Sequence, residues 1–107
     1  MEMTEIIATR RLQLLEDDGS TKPILIELGK PKLFPDSTDY YAPFQILGIG
    51  SERVLYAGGV DAFQALQLVM GVIGAQLAAL NQACGDRLRR EGHEGSEFGF
   101  PDSILTG

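Results

Sequence analysis

Between Asp61 and Asp86 the chain carries no charged residue, and most of what it does carry is apolar. Within that run Phe63, Leu66, Met70, Ile73, Leu77, Leu80 and Cys84 recur at steps of three and four, which places them in one stripe along an α-helix. A second apolar row, Leu68, Val72, Ala75 and Ala79, lies beside the first. The run is long enough to cross a bilayer. Gln64, Gln67 and Gln76 interrupt it, however, and its striping suits a helix that covers a sheet. No membrane association is expected.

Asp61 is a good N-cap, with Gln64 three residues on as its capping-box partner. The helix is expected over about 61–90, with Arg87, Arg89 and Arg90 in a last turn where cations complement the helix dipole.

Upstream, hydrophobicity alternates with period two. Ile6, Ala8, Leu12 and Leu14 share a face, with Arg10 as the exception, and Ile7, Thr9, Arg11 and Gln13 share the other. After a turn at residues 17 to 21, Ile24, Ile26 and Leu28 alternate again. A two-residue Asp18-Gly19 loop would send those three to the polar side. A loop one residue longer pairs Leu14 with Ile24 and Leu12 with Ile26, so an odd-numbered loop with Gly19 as a bulge is expected.

Two prolines and an Asp/Ser/Thr cluster make residues 31 to 40 a loop that forbids a regular ladder. Phe44 and Ile46 then open a second hairpin, which turns from Gly48 to Glu52 and returns through Val54 and Tyr56. Gly48-Ile49-Gly50 lacks the third glycine, the Lys-Ser/Thr and the following helix of a phosphate loop.

The expected fold class is therefore α+β. It consists of a four-stranded antiparallel meander of two hairpins (about 4–16, 22–30, 42–48 and 53–58) covered by one long helix. An extended tail over 91–107 docks on the body through Phe98, Phe100, Ile104 and Leu105. At 107 residues, with 44% apolar and 22% charged residues, one domain accounts for the chain.

A net charge of −6 argues against phosphate-backbone binding, and so against nucleic acid, while it suits a basic protein partner. One cysteine excludes an intramolecular disulfide, and the acidic N-terminus lacks a secretory pattern, which together fit a reducing, cytoplasmic setting. His93 with Glu94 and Glu97 has no ligand spacing, so no metal and no cofactor are expected. Ser20, Ser37 and Ser51 sit in turns without a base, and the pairs Asp17-Asp18 and Asp36-Asp39 are turn placements, so no catalytic residue stands out.

Three stretches resemble a family of small uncharacterised bacterial proteins, a domain of unknown function. They are Arg53-Val54-Leu55-Tyr56-Ala57-Gly58-Gly59-Val60-Asp61, Gln64-Ala65-Leu66-Gln67 and Phe98-Gly99-Phe100-Pro101. The resemblance implies a compact bacterial domain and transfers no activity.

A helix over 61–90 would be about 40 Å long above a sheet about 15–20 Å across. Its second half, Leu77, Leu80, Cys84 and Leu88, then needs another cover: the tail, a second copy or a different protein. The row Gln64, Gln67, Gly71, Gly74, Ala78 and Asn81 is small and uncharged where a solvated face carries Lys and Glu. Gln64, Gln67, Gly71, Gly74, Ala78, Leu80 and Cys84 are thus the candidate partner-binding residues of a homodimeric interaction domain, an adaptor or a neutraliser of a basic toxin. The alternative is a small-molecule binder or enzyme using Asp39, Tyr40, Tyr41 and Gln45 beside the 31–41 loop.

Overall fold

The computed structural model describes residues 1–50, 52–91 and 98–101. Its elements in order are β1 (Ile6–Leu15), β2 (Thr21–Gly29), β3 (Lys32–Leu33), β4 (Tyr40–Leu47), β5 (Leu55–Gly59), α1 (Ala62–Ala83) and β6 (Leu88–Arg90). The class is α+β as expected, but among the described residues the antiparallel sheet has six strands and not four. Ser51, His93, Glu94, Glu97, Ile104 and Leu105 lie outside the described residues.

Pairing partners fix the sheet order. Tyr40 and Tyr41 pair with Leu33 and Lys32 of β3 and also with Gly59 and Gly58 of β5. Phe44 pairs with both Leu28 and Leu55. Hence β2 and β3 follow one another along one side of β4, with β5 on the other side. β1 and then β6 extend the sheet beyond β2.

The proline in β4 fits this arrangement. Phe34 N–H donates to the Asp39 carbonyl at 2.9 Å, so odd-numbered residues of β4 turn their backbone groups toward β3 and β2. Pro43, which has no N–H, thus faces the place where the β2–β4 ladder stops at Leu28–Phe44, and the β5 ladder runs through Tyr40, Ala42 and Phe44.

In the first hairpin Leu12 faces Ile24, Arg10 faces Ile26 and Ala8 faces Leu28. The loop does have three residues, closed by Glu16 N–H donating to the Ser20 carbonyl at 2.8 Å. It lies one position earlier than expected, because Gly19 (φ +88°) takes the third place, where a left-handed residue is required. From Ala8 to Leu15 every partner shifts by two, so those faces survive and only the pairings differ from those anticipated. Ile6 is the exception: an irregularity between Ile6 and Ala8 sets it opposite Gly29, and it is 45% exposed, so it does not share the buried face expected of it. The loop at 31 to 40 is also more ordered than two prolines suggest. β3 forms inside it, and the Ser37 hydroxyl accepts from Asp39 N–H at 2.9 Å.

The core lies between one face of the sheet and α1. Leu12, Ile24, Ile26, Leu28, Ala42, Phe44, Ile46, Ala57 and Leu88 meet Ala65, Val69, Ile73 and Leu77. Phe63, which the sequence stripe places at the head of the buried row, is 85% exposed. The helix is rotated toward its small side. A Cβ on Gly59 would lie 2.5 Å from Ala65 N, so the first turn is seated directly on β5, and the bulky Phe63 swings outward.

The helix ends at Ala83 and not near 90, so α1 has 22 residues and rises about 33 Å. Gly85 (φ +72°) sits just past the cap residue Cys84. Asp86 N–H donates to the Asn81 carbonyl at 2.8 Å and Gly85 N–H to the Gln82 carbonyl at 3.2 Å, the Schellman pattern. The Asn81 side chain reinforces the stop by accepting from Leu88 N–H at 2.9 Å and donating to Asp86 at 2.8 Å.

The arginines expected in the last helical turn belong instead to β6 and its approach. Arg87 pairs with Asp17, Arg89 donates to the Asp86 carbonyl at 2.9 Å, and Leu88 is fully buried beside Leu14 of β1. The need for an external cover shrinks accordingly: Leu77 and Leu88 are buried within the chain, and Leu80 and Cys84 are half-buried.

The tail covers the middle of the helix and the sheet beside it. Phe98 and Phe100 pack against the core. Arg10, the residue that breaks the alternation of β1, donates to the Phe98 carbonyl at 3.0 Å and stacks over the Phe100 ring, 4.8 Å from its centroid. α1 lies mainly over β4 and β5, while Phe100 lines a notch with Ala8, Ile26, Leu28, Met70 and Ile73. Helix and tail therefore divide one sheet face between them.

Candidate interaction surface

Successive helical residues are 100° apart, so the flank of α1 opposite Met70 and Gly74 carries Leu68, Ala75 and Ala79. The tail takes the Met70–Gly74 flank: a Cβ on Gly74 would lie 2.9 Å from the Pro101 carbonyl oxygen and 3.3 Å from Phe100 Cβ. Gly74 is thus small because its own chain crosses it. Gly71 is buried as well.

Of the seven residues proposed for partner binding, Gln64, Gln67 and Ala78 are exposed and Leu80 and Cys84 half-buried, so they do not form one open stripe. Gln64 has local work. Asp61 Oδ1 accepts from Gln64 N–H at 2.8 Å, the expected cap, while the Gln64 side-chain oxygen accepts from Val60 N–H at 2.8 Å, one residue before the cap and not the Asp61 N–H of the expected capping box.

Besides Phe63, exposed on the other flank ahead of the tail, the outer flank over β5 is open. Leu68 is 49% exposed there, with Ala75 and Ala79 also in solvent and no charged residue along the helix. Val60, at 68%, and Tyr56 are exposed on and just past β5. Sequence periodicity points to the helix but not to this flank, because which side the tail covers depends on Arg10 and Phe100.

Asp39, Tyr40, Tyr41 and Gln45 are not brought together. Tyr40 packs against the core on the helix face. Tyr41 and Gln45, odd-numbered on β4, face the opposite way. Tyr41 joins Phe34 (ring centroids 5.2 Å apart) and Tyr56 (6.2 Å) in an aromatic cluster. Gln45 donates to Glu27 at 2.9 Å. The hollow that Tyr41 lines is shared with Glu2, Lys30 and Lys32 and includes none of the other three.

Burial lowers the Arg10 pKa, and the charge of Arg90 adds to the effect. The Ser20 hydroxyl and N–H hold Asp18 below the usual carboxylate range, and the Gly48 N–H does the same for Glu52. These are turn-locking bonds, since Glu52 also accepts from Gly50 N–H at 3.4 Å. Among the described residues no cluster of three His, Cys, Asp or Glu forms a metal cage. α1 is long and apolar enough to span a membrane, and its Ala65, Val69, Ile73 and Leu77 are fully buried against the sheet.

No curated protein and no solved structure matches this chain. Residues 8–102 match the family described as Domain of unknown function (DUF6968), and the chain belongs to it.

Proposed function

We propose that this chain is a non-enzymatic protein-interaction domain that works as a homodimer assembled on the outer flank of α1. The observation that carries the reading is Leu68, 49% exposed beside Ala75 and Ala79 on a helix without a charged residue. A solvent-facing helix normally alternates Lys and Glu there, and leaving that flank in water forgoes both solubility and the i,i+4 pairs that support surface helices. A contact between identical chains of net charge −6 is best made where each chain is uncharged, and this flank meets that requirement. The remaining acidic surface suits a basic protein partner, as an adaptor or a neutraliser would bind. A ligand site at Tyr40 and Tyr41 is disfavoured by their opposite facing.

Light scattering across a concentration series tests the reading. The mass should approach twice 11.6 kDa, and Leu68→Glu should return it to one chain without loss of helix signal. A wild-type chain that stays monomeric near millimolar concentration would refute it.

A further inference from the structure

Resting on the homodimer reading, we propose that the seam is the outer edge of β5, paired antiparallel with the same edge of a second copy and centred on Ala57. The two ends of the sheet are built differently. β6 is three residues long and carries Arg89 and Arg90, the charged, short form that discourages pairing. β5, Leu-Tyr-Ala-Gly-Gly, has no charge, no proline and no bulge, and among the described residues nothing pairs with its outer side. Because Leu55, Ala57 and Gly59 bond toward β4, the amides and carbonyls of Tyr56 and Gly58 point outward.

The sequence around this edge is complementary to itself in one register. With Ala57 opposite the partner's Ala57, Tyr56 lies opposite Gly58 of the partner subunit, and their outward groups form about four hydrogen bonds across the seam. Gly58 already carries the Phe34 ring of its own chain against its Cα, and Tyr56 packs on that ring, so the register joins the two aromatic clusters across the seam. In the same register Arg53 comes opposite Asp61 of the partner subunit at both ends. A shift of two residues in either direction separates both pairs. A shift of one sets outward groups against inward ones.

The helices fit this arrangement. α1 rides over β4 and β5. With strands about 4.8 Å apart, an axis midway between them lies about 5 Å from the two-fold, and the two helices about 10 Å from each other, which is ordinary packing distance. Leu68, Ala75 and Ala79 would fill that gap.

Amide hydrogen exchange on the intact chain, followed across the dimerisation range, tests the seam without a mutation. The Tyr56 and Gly58 amides should exchange at least tenfold more slowly in the dimer than after dilution to monomer. Those of Leu55, Ala57 and Gly59 should be protected in both states. Arg53→Glu, which replaces two flanking attractions by repulsions, should weaken the dimer about tenfold. A dimer whose Tyr56 and Gly58 amides exchange freely would overturn the seam and leave the homodimer standing. Protected amides with no effect of Arg53→Glu would overturn the register. A monomer at every concentration would overturn both.

Discussion

Replacing Arg10 by alanine should loosen the tail and, with it, the cover of the core. Arg10 donates to the Phe98 carbonyl at 3.0 Å and lies 4.8 Å over the Phe100 ring. A hydrogen bond from a charged donor contributes about 1.5–3 kcal/mol, and a partly exposed cation–π contact about 0.5–1 kcal/mol. Against these stands the cost of holding a guanidinium partly buried beside Arg90, which also lowers its pKa. The balance is a loss of about 2 kcal/mol, or about 10 °C in Tm for a domain of this size. Urea unfolding of the wild type, Arg10→Ala, Phe100→Ala and the double variant measures it. The two substitutions should couple by about 0.5–1 kcal/mol, since they remove two halves of one contact. Additivity within about 0.3 kcal/mol would mean that Arg10 does not hold the ring and that the tail docks by its apolar surface alone.

Other substitutions probe the remaining joints. Gly74→Leu should cost about 1–3 kcal/mol through overpacking and shift the methyl resonances of Met70 and Ile73 as Phe100 moves away; unchanged resonances would place the tail elsewhere. Asn81→Ala removes the acceptor of Leu88 N–H and should cost about 1–3 kcal/mol in urea unfolding, because that half-buried amide is left unpaired. Ile73→Ala, at a fully buried position, should cost about 2–5 kcal/mol by the same assay. Glu52 and Asp18 have folded-state pKa values below their unfolded ones. Their stabilisation of the turns is full above the ordinary carboxylate range and lost as pH falls through the lowered values. The Gly48 and Ser20 amide resonances should titrate with midpoints below that range, and an ordinary midpoint would break the assignment.

Local chemistry written into adjacent residues was legible from sequence: the alternation of β1 from Ala8 onward and of β2, the Asp61 cap on Gln64 N–H, and the Gly48–Glu52 turn. Where the structure departs from expectation, packing between elements decides most cases. The burial of Ala65 in place of Phe63 follows from the close seat on Gly59, which favours the smallest residues and not the largest. Arg10 looks like an error in an apolar strand until Phe98 and Phe100 come back to meet it from near the other end of the chain. The helix stop was readable in Ala83-Cys84-Gly85, since glycine past a cap is a standard signal. The three arginines beyond it fit a helical last turn equally well, and only the buried fit of Leu88 against β1 separates the two readings. For the candidate surface, the helix was visible but its free flank was not, because the tail that occupies the other flank acts through Gly74.

The pairing of Leu12 and Leu14 with Arg90 and Leu88 joins segments more than seventy positions apart. The first strand therefore leaves the ribosome long before its neighbour exists, and its outer border stays unsealed through most of synthesis. Contacts at such separation form late and slowly. Folding intermediates of this chain should gather at that unsealed border, where a chaperone would be needed, and not at the hairpin that emerges first.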